Sequence, residues 1–194
     1  MIALVDYNAG NITSVMSALD HLGFAYIKTN SPDVIRKAKK VILPGQGRAG
    51  QVMDELRKCN IVEILKTLTT PFLGICIGFQ LLAEYSEEDK TTCLGVLPGQ
   101  VKKITGSQKI PHIGWNRIEQ KKPSPLLKNI PNNIYAYFVH SYYLDTPDTY
   151  IVATTPYGIS FPSIIQKDNY YATQFHLEKS GDMGLQMLKN FCAL

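Results

Sequence analysis

Short apolar runs alternate with amphipathic segments through the first half of the chain. The apolar runs predict buried strands over residues 2–6, 25–29, 41–43 and 72–75. Between and after them, apolar positions recur at helical spacing and predict helices over residues 15–22, 32–38, 49–58, 61–68 and 78–85. This alternation is typical of a parallel sheet with helices packed on both faces.

The second half has a different pattern, in which Pro, Gly and Asn separate short strand-like runs. These runs cover residues 95–104, 113–119, 134–139, 150–155, 159–166 and 170–175, and a last helix is predicted over residues 182–191. They indicate antiparallel additions to the first sheet or a small side sheet. With no repeat and no long linker, we expect one α/β domain over residues 1–194, built on an open, mainly parallel central sheet.

Composition and charge exclude several classes of protein. The 194 residues are 45% hydrophobic and 19% charged, as in ordinary globular domains. The net charge of +4 is scattered, and the basic run 36–40 has no aromatic neighbours, so no nucleic-acid partner is indicated. The longest near-apolar stretch, residues 72–83, is too short to cross a membrane, and the N-terminus lacks the pattern of a signal peptide. We therefore expect a cytoplasmic chain with reduced thiols.

The junction between the strand at 72–75 and the helix after it carries the pattern Gly-x-Cys-x-Gly, with Cys76 at its centre. A cysteine at such a turn has the arrangement of a nucleophile elbow. The N-terminus of the helix favours a thiolate, and the N–H of Ile77 would point to a developing oxyanion. A buried cysteine in a helix-packing glycine motif is the alternative that this pattern leaves open.

Two further strand ends carry candidate chemistry. His176 and Glu178 follow the last predicted strand, and a thiolate nucleophile needs such a proton carrier with an orienting carboxylate. On their own, they would more simply be a surface pair that starts the final helix. The turn at residues 45–47 follows the third strand, and its two glycines let backbone N–H groups approach a ligand. The turn fits no phosphate-binding motif, so we interpret it as an oxyanion strand beside the elbow.

The four cysteines, at 59, 76, 93 and 192, have no spacing that suggests a metal site, and no metal or organic cofactor is indicated. Only Cys76 has the surroundings of a nucleophile. We interpret Cys59, Cys93 and Cys192 as structural.

These residues together resemble the class I, or triad, glutamine amidotransferases, over essentially the whole chain. The segment Gly-Ile-Cys-Ile-Gly-Phe-Gln at 74–80 is similar to the nucleophile motif of that family, and His176 and Glu178 are similar to the other triad members. Further motifs resemble the family members that serve histidine biosynthesis as the glutaminase subunit of a synthase. These motifs cover residues 6–11, 44–47, 111–116, 137–142 and 174–180.

The resemblance implies a role for each matching residue. Cys76 would attack the side-chain amide of L-glutamine, His176 would carry protons, and Glu178 would orient His176. The N–H groups of Ile77 and of Gln46, the latter after a flip of the Gly45–Gln46 peptide, would stabilise the oxyanion. Substrate contacts are implied for Gly47, Gln80, His140, Ser141 and Tyr142.

The resemblance also implies a partner. A cyclase or synthase subunit, paired with this chain as a heterodimer, would be contacted by Asn11, Trp115, Asn116, Tyr137 and Lys179. For Trp115 and Tyr137, core packing is the alternative. His112 would order the turn before Trp115.

Two residues depart from the family pattern. The family usually has Pro at position 177, where this chain has Leu, and a small apolar residue at position 46, where it has Gln. These departures leave open a glutaminase that feeds a different synthase, for example in sugar modification. A free-standing cysteine hydrolase of related fold is the third hypothesis, and the Gln80 position and the His140-Ser141-Tyr142 segment argue against it.

Overall fold

The computed structural model describes residues 1–7, 12–106 and 108–194. Within them, a central sheet is built from β1 (Ile2–Val5), β2 (Tyr26–Thr29), β3 (Lys40–Leu43), β4 (Phe72–Ile75), β9 (Glu119–Gln120), β12 (Ile151–Tyr157), β13 (Ile159–Lys167) and β14 (Tyr170–Thr173). The strand order is β2-β1-β3-β4-β14-β13-β12-β9. The first five strands in this order are parallel and the last three pair antiparallel, so the predicted α/β architecture is confirmed.

Helices cover both faces of the central sheet. They are α1 (Thr13–His21), α2 (Pro32–Lys37), α3 (Ala49–Lys58), α4 (Val62–Lys66), α5 (Ile77–Gln80) and α6 (Gly181–Cys192). Successive residues of β1 belong to opposite cores, since Leu4 packs with α1 and α6 whereas Val5 packs with α2, α3 and α4. A strand that is buried on both faces is apolar at every position, which explains the continuous apolar run at its start.

The additions in the second half take both of the predicted forms. In addition to the antiparallel strands of the central sheet, a separate side sheet consists of β5 (Tyr85–Ser86), β6 (Thr91–Thr92), β7 (Gln100–Lys103) and β11 (Tyr142–Asp145). A separate antiparallel pair joins β8 (His112–Arg117) to β10 (Tyr135–His140).

The predicted length of the helix over residues 78–85 is wrong. Helix α5 ends at Gln80, and Tyr85 already belongs to β5. The carbonyl groups of Leu81, Leu82 and Ala83 accept hydrogen bonds from Leu94, Leu97 and Gly95, respectively, instead of from the next turn of a helix. The same pairing explains why β7 begins at Gln100 and not at the predicted residue 95.

Three parallel strands end side by side and determine where chemistry can occur. Leu43 of β3 is in register with Gly74 of β4, and Ile75 of β4 is in register with Thr173 of β14. The segments that follow β3, β4 and β14 therefore meet at the carboxyl edge of the sheet, where ligands bind in open α/β sheets. No helix among the described residues is long and apolar enough to cross a membrane.

Candidate active site

Cys76 lies at the sharp turn between β4 and α5. Its backbone has φ 49° and ψ −99°, a conformation that costs an L-residue free energy and marks a constrained turn. The flanking glycines permit the turn: a Cβ on Gly74 would lie 2.4 Å from the carbonyl oxygen of Gly78, and one on Gly78 would lie 2.4 Å from that of Leu43. The sulfur is thus held at the end of β4 and at the start of α5.

His176 and Glu178 are brought to the same edge at the end of β14. The Nδ1 atom of His176 donates to the carboxylate Oε1 of Glu178 over 2.8 Å, and both side chains are buried. This contact leaves Nε2 as the nitrogen that can face Cys76. Burial alone would lower the pKa of His176, but its interactions with Cys76 and Glu178 outweigh the burial and raise that pKa above its usual value. The three groups have the arrangement of a nucleophile, a proton carrier and an orienting acceptor.

The loop that carries Glu178 is held without a proline. Leu177 is fully buried in the core, and the carbonyl oxygen of His176 accepts a hydrogen bond from Ser180 Oγ over 2.6 Å. Ser180 Oγ in turn accepts from the N–H of Tyr137, while the N–H of His176 donates to the carbonyl of Tyr137. Side-chain burial and these hydrogen bonds to β10 replace the restraint that a fixed φ at position 177 would supply.

A cavity of about 200 Å³ opens beside the sulfur. Of the residues that the sequence predicted for substrate, Gly47, Gln80, His140, Ser141 and Tyr142 all line it, together with Cys76 and Ile77. Glu88, Pro111 and Val139 also line it, and sequence reasoning missed them. Glu88 places a carboxylate at the cavity. Burial raises the pKa of this carboxyl group, and the hydrogen bond that it accepts from the Ala49 N–H offsets part of that rise. Its only sequence signal is an acidic run, 87–89, which a solvated surface explains equally well.

The turn at 45–47 lies against Cys76, but the N–H of its central residue is engaged elsewhere. A Cβ on Gly45 would lie 2.8 Å from the Cβ of Cys76, which places the two residues in contact. The N–H of Gln46 donates to the hydroxyl of Tyr7 over 3.2 Å, and that hydroxyl lies 2.8 Å from the Gln46 carbonyl oxygen and 3.0 Å from that of Pro44. Tyr7 is buried, and its contact with this turn gave no sequence signal beyond its position after β1.

A chain of hydrogen bonds leads from β8 to the cavity through two buried histidines. The carbonyl of Tyr142 can only accept, so His140 carries its proton on Nδ1 and donates to that carbonyl over 2.7 Å. The Nε2 atom of His140 must then accept from Nδ1 of His112, which lies 3.0 Å away. The Nε2 atom of His112 accepts from Asn116, whose amide also donates to the Pro156 carbonyl.

Both of these histidines are neutral at neutral pH. Burial lowers the pKa of His112 to about 4, and burial, with the nearby His112 and His176 adding to it, lowers the pKa of His140 to about 3. His112 lies within β8 and stacks on the ring of Tyr157 at a centroid distance of 3.9 Å. It is a core residue that orients His140.

Two of the residues predicted to face a partner, Trp115 and Tyr137, lie within an exposed apolar surface. Ile113 and Trp115 of β8, and Tyr135, Tyr137 and Val139 of β10, lie on one face of the strand pair; we call this surface the hairpin patch. Trp115 is 55% exposed, so the core-packing alternative is wrong for it, whereas Tyr137 is half-buried. Lys179 is exposed, Asn116 is engaged with His112 and Pro156, and Asn11 lies outside the described residues.

The other three thiols lie apart from this geometry. Burial raises the pKa of Cys93 and of Cys192 to about 12, which keeps both protonated. Cys59 is half-buried and packs against the core. None of the three lines the cavity at Cys76.

Comparisons with known proteins show the family to which the chain is similar over its whole length. A family model described as "Glutamine amidotransferase class-I" matches residues 3–194. The chain is 46% identical to "Imidazole glycerol phosphate synthase subunit HisH 1" of Methanococcus maripaludis, covering 100% of both chains. It is 44% identical to the HisH subunit of Bacillus cereus, covering 98% of this chain and 93% of the relative.

Solved structures share the fold at lower identity. A crystal structure titled "glutamine amidotransferase" covers 100% of both chains with a TM-score of 0.78 and 17% identity. The crystal structure of a glutamine amidotransferase from Thermotoga maritima covers 97% of this chain and 80% of its own, with a TM-score of 0.69 and 18% identity.

Because burial lowers the pKa of His112 in the folded chain, we expect this residue to make the chain less stable in acid. As the pH falls from about 6.5 towards about 4, the unfolded chain binds protons that folded His112 does not, so the free energy of unfolding falls. His112→Phe retains the stacking but removes this group, and we expect its free energy of unfolding to fall less over this window, by on the order of 2 kcal/mol. Urea denaturation at a series of pH values measures the difference, with His21→Asn on the surface of α1 as the control. Equal pH dependence in wild type and His112→Phe would contradict the prediction.

Proposed function

Because the chain belongs to the class I glutamine amidotransferases, we propose that it is the glutaminase subunit of an imidazole glycerol phosphate synthase and acts in histidine biosynthesis. The observation that carries the proposal is the full-length match to proteins named as HisH subunits of imidazole glycerol phosphate synthase. The arrangement of Cys76, His176 and Glu178 beside a small polar cavity supports it. In this role the chain acts as one glutaminase domain that needs no metal or organic cofactor.

The triad performs hydrolysis in two steps. His176 accepts the proton of Cys76, and the thiolate attacks the side-chain amide carbon of L-glutamine to form a tetrahedral oxyanion. His176 then gives the proton to the departing nitrogen, the C–N bond breaks and ammonia leaves, and the acyl group remains on the sulfur of Cys76 as a glutamyl thioester. Water, deprotonated by His176, attacks the thioester and releases glutamate and the thiol. Glu178 holds the imidazole in the tautomer with Nδ1 protonated and stabilises its charged form.

The cavity offers groups that suit both ends of glutamine. Ile77 begins α5, so its N–H is a donor for the oxyanion next to the sulfur. The carboxylate of Glu88 provides a counter-charge for the α-ammonium group of the substrate. Gly47, Gln80, His140, Ser141 and Tyr142 complete the walls of the cavity.

The second oxyanion donor is held in a resting arrangement. The N–H of Gln46 binds the hydroxyl of Tyr7, so it serves the oxyanion only after the Gly45–Gln46 peptide turns. A free subunit in this state wastes little glutamine. A partner that binds the turned peptide better shifts the equilibrium towards the active state.

The hairpin patch is the proposed docking surface for the cyclase subunit. Large exposed apolar groups cluster there: Ile113, Trp115 and Tyr135 are each more than half exposed, and Val139 is 37% exposed. Such clusters mark protein interfaces, in which aromatic residues carry much of the binding free energy. The patch borders the active site, because the carbonyl of Val139 lies 3.7 Å from the sulfur of Cys76. Ammonia formed at the sulfur is thus released close to the partner.

The first test concerns the nucleophile. In the complex with the cyclase subunit, we expect Cys76→Ala to abolish synthesis from glutamine and to leave synthesis from ammonium salts unchanged. Measuring product formation with each nitrogen source decides this, with Cys59→Ala as the control that retains both activities. Glutamine-dependent synthesis by Cys76→Ala would overturn the proposal.

The second test concerns the partner. Trp115→Ala is expected to weaken binding of the cyclase subunit by tenfold or more, about 1.4 kcal/mol, because it removes an exposed aromatic group from the centre of the patch. Titration calorimetry measures the affinity, and Ile27→Ala, at the far edge of the sheet, is the matched exposed apolar control. If wild type binds no cyclase subunit but another synthase stimulates glutamate release, the chain serves that synthase instead.

The third test concerns the resting state. Tyr7→Phe removes the hydroxyl that holds Gln46, and we expect the glutaminase rate of the isolated chain to rise about fivefold, as one hydrogen bond contributes about 1 kcal/mol. Tyr170→Phe is the control, since it loses a buried hydroxyl that binds the Leu65 carbonyl away from the site. Equal basal rates in wild type and Tyr7→Phe would show that this contact does not restrain the turn.

A further inference from the structure

Two buried glutamine side chains connect the substrate cavity to the sulfur of the nucleophile. Gln174 directly follows β14, and because Thr173 is in register with Ile75, it lies beside Cys76. Gln174 is fully buried and Gln80 is 4% exposed. The Nε2 atom of Gln80 lies 3.0 Å from Oε1 of Gln174, and the Nε2 atom of Gln174 lies 3.8 Å from Sγ of Cys76.

The orientation of both amides is fixed by one backbone group. The carbonyl of Tyr142 can only accept, so the Gln80 atom 3.0 Å from it must be the NH₂ group. The second proton of that NH₂ group requires an acceptor on Gln174, which is therefore its oxygen. The remaining end of the Gln174 amide, facing the sulfur, is then the NH₂ group.

From this chain of contacts we propose that Gln174 stabilises the thiolate of Cys76 by donating a hydrogen bond to it, and that Gln80 holds Gln174 in the orientation that does so. The inference rests on the proposed function in that Cys76 is taken as the nucleophile. When the proton of Sγ passes to Nε2 of His176, the sulfur becomes negative while the carbonyl of Val139, 3.7 Å away, still faces it. A neutral amide donor offsets that dipole and stays neutral itself, because an amide NH₂ group does not titrate. The reversed amide would place a second oxygen against the charge.

This role separates Gln174 from the triad. Gln174 moves no proton and forms no bond to substrate; it positions a dipole at the reacting sulfur. The alternative is a structural role, in which Gln174 only packs in the protein interior and holds Gln80 in place. The two differ in the reactivity of Cys76 when no glutamine is present, because anchoring Gln80 matters only to the substrate.

The test is the rate at which iodoacetamide alkylates Cys76 in the isolated chain, followed by peptide mapping. We expect Gln174→Met, which keeps the volume and removes the donor, to slow alkylation about tenfold, as expected for losing a hydrogen bond to a charged group. The side chain of Gln80 makes no hydrogen bond to the sulfur, but it holds the Gln174 amide. Gln80→Met should therefore also slow alkylation, by a smaller factor than Gln174→Met. Thr173→Val is the matched control: it loses a buried hydroxyl bonded to the Phe175 carbonyl, and it should alkylate within about twofold of wild type.

A second measurement separates positioning from general damage. In the complex, Gln174→Met should lower kcat for glutamine by about the same factor as the alkylation rate, with synthesis from ammonium salts unchanged. Gln174→Leu replaces Gln174→Met if the latter fails to fold, and Gln80→Met decides the question if neither folds. Wild-type alkylation speed in a folded Gln174 variant, or in Gln80→Met, would overturn the inference. Slow alkylation of Cys76 in wild type, no faster than that of Cys59, would instead overturn the proposed function.

Discussion

The turn at Cys76 is the constraint on which the rest of the site depends. A left-handed residue between a buried strand and a helix is tolerated only because the flanking positions, 74 and 78, have no side chains to collide with neighbouring backbone. The turn places the sulfur where the segments after β3 and β14 also end. In the proposed mechanism each of those segments supplies one function: Gln46 the movable N–H, and His176 the proton carrier. Parallel topology thus brings together groups that are distant in the sequence.

Apart from the pair of His176 and Glu178, the polar side chains around the sulfur are oriented by backbone carbonyls rather than by charges. The carbonyl of Tyr142 accepts from both His140 and Gln80, and so fixes the tautomer of one and the amide orientation of the other. From these two contacts the orientations of His112 and Gln174 follow. A carbonyl cannot titrate, so this arrangement persists over the pH range in which both histidines are neutral, down to about pH 4. Neutral, fixed dipoles of this kind stabilise developing charge without reorganising during the reaction.

Local patterns in the sequence predict much of this structure, and the misses have a common physical cause. The strand at 72–75, the helix at 49–58 and the elbow at Cys76 are encoded by nearby residues, through apolar period and glycine spacing. Tyr7, Glu88 and Gln174 are not, because each acts through a partner 39 or more residues away. The early end of α5 has the same origin, since backbone N–H groups of residues 94, 95 and 97 donate hydrogen bonds to the carbonyls of residues 81–83, which directly follow the helix. Tertiary hydrogen bonds thus override or complete what the local pattern indicates.

Strand β10 gives the proposed interface a direct mechanical path to the triad. Its outward face carries Tyr137 and Val139 in the hairpin patch, while its backbone contacts the active site from the other side. The carbonyl of Tyr137 binds the N–H of His176, and the carbonyl of Val139 lies against the sulfur of Cys76. A partner that shifts the strand by pressing on these side chains would also move the backbone groups that contact Cys76 and His176. Because the link is made by backbone atoms, it does not depend on the identity of the patch residues, whereas the affinity for the partner does.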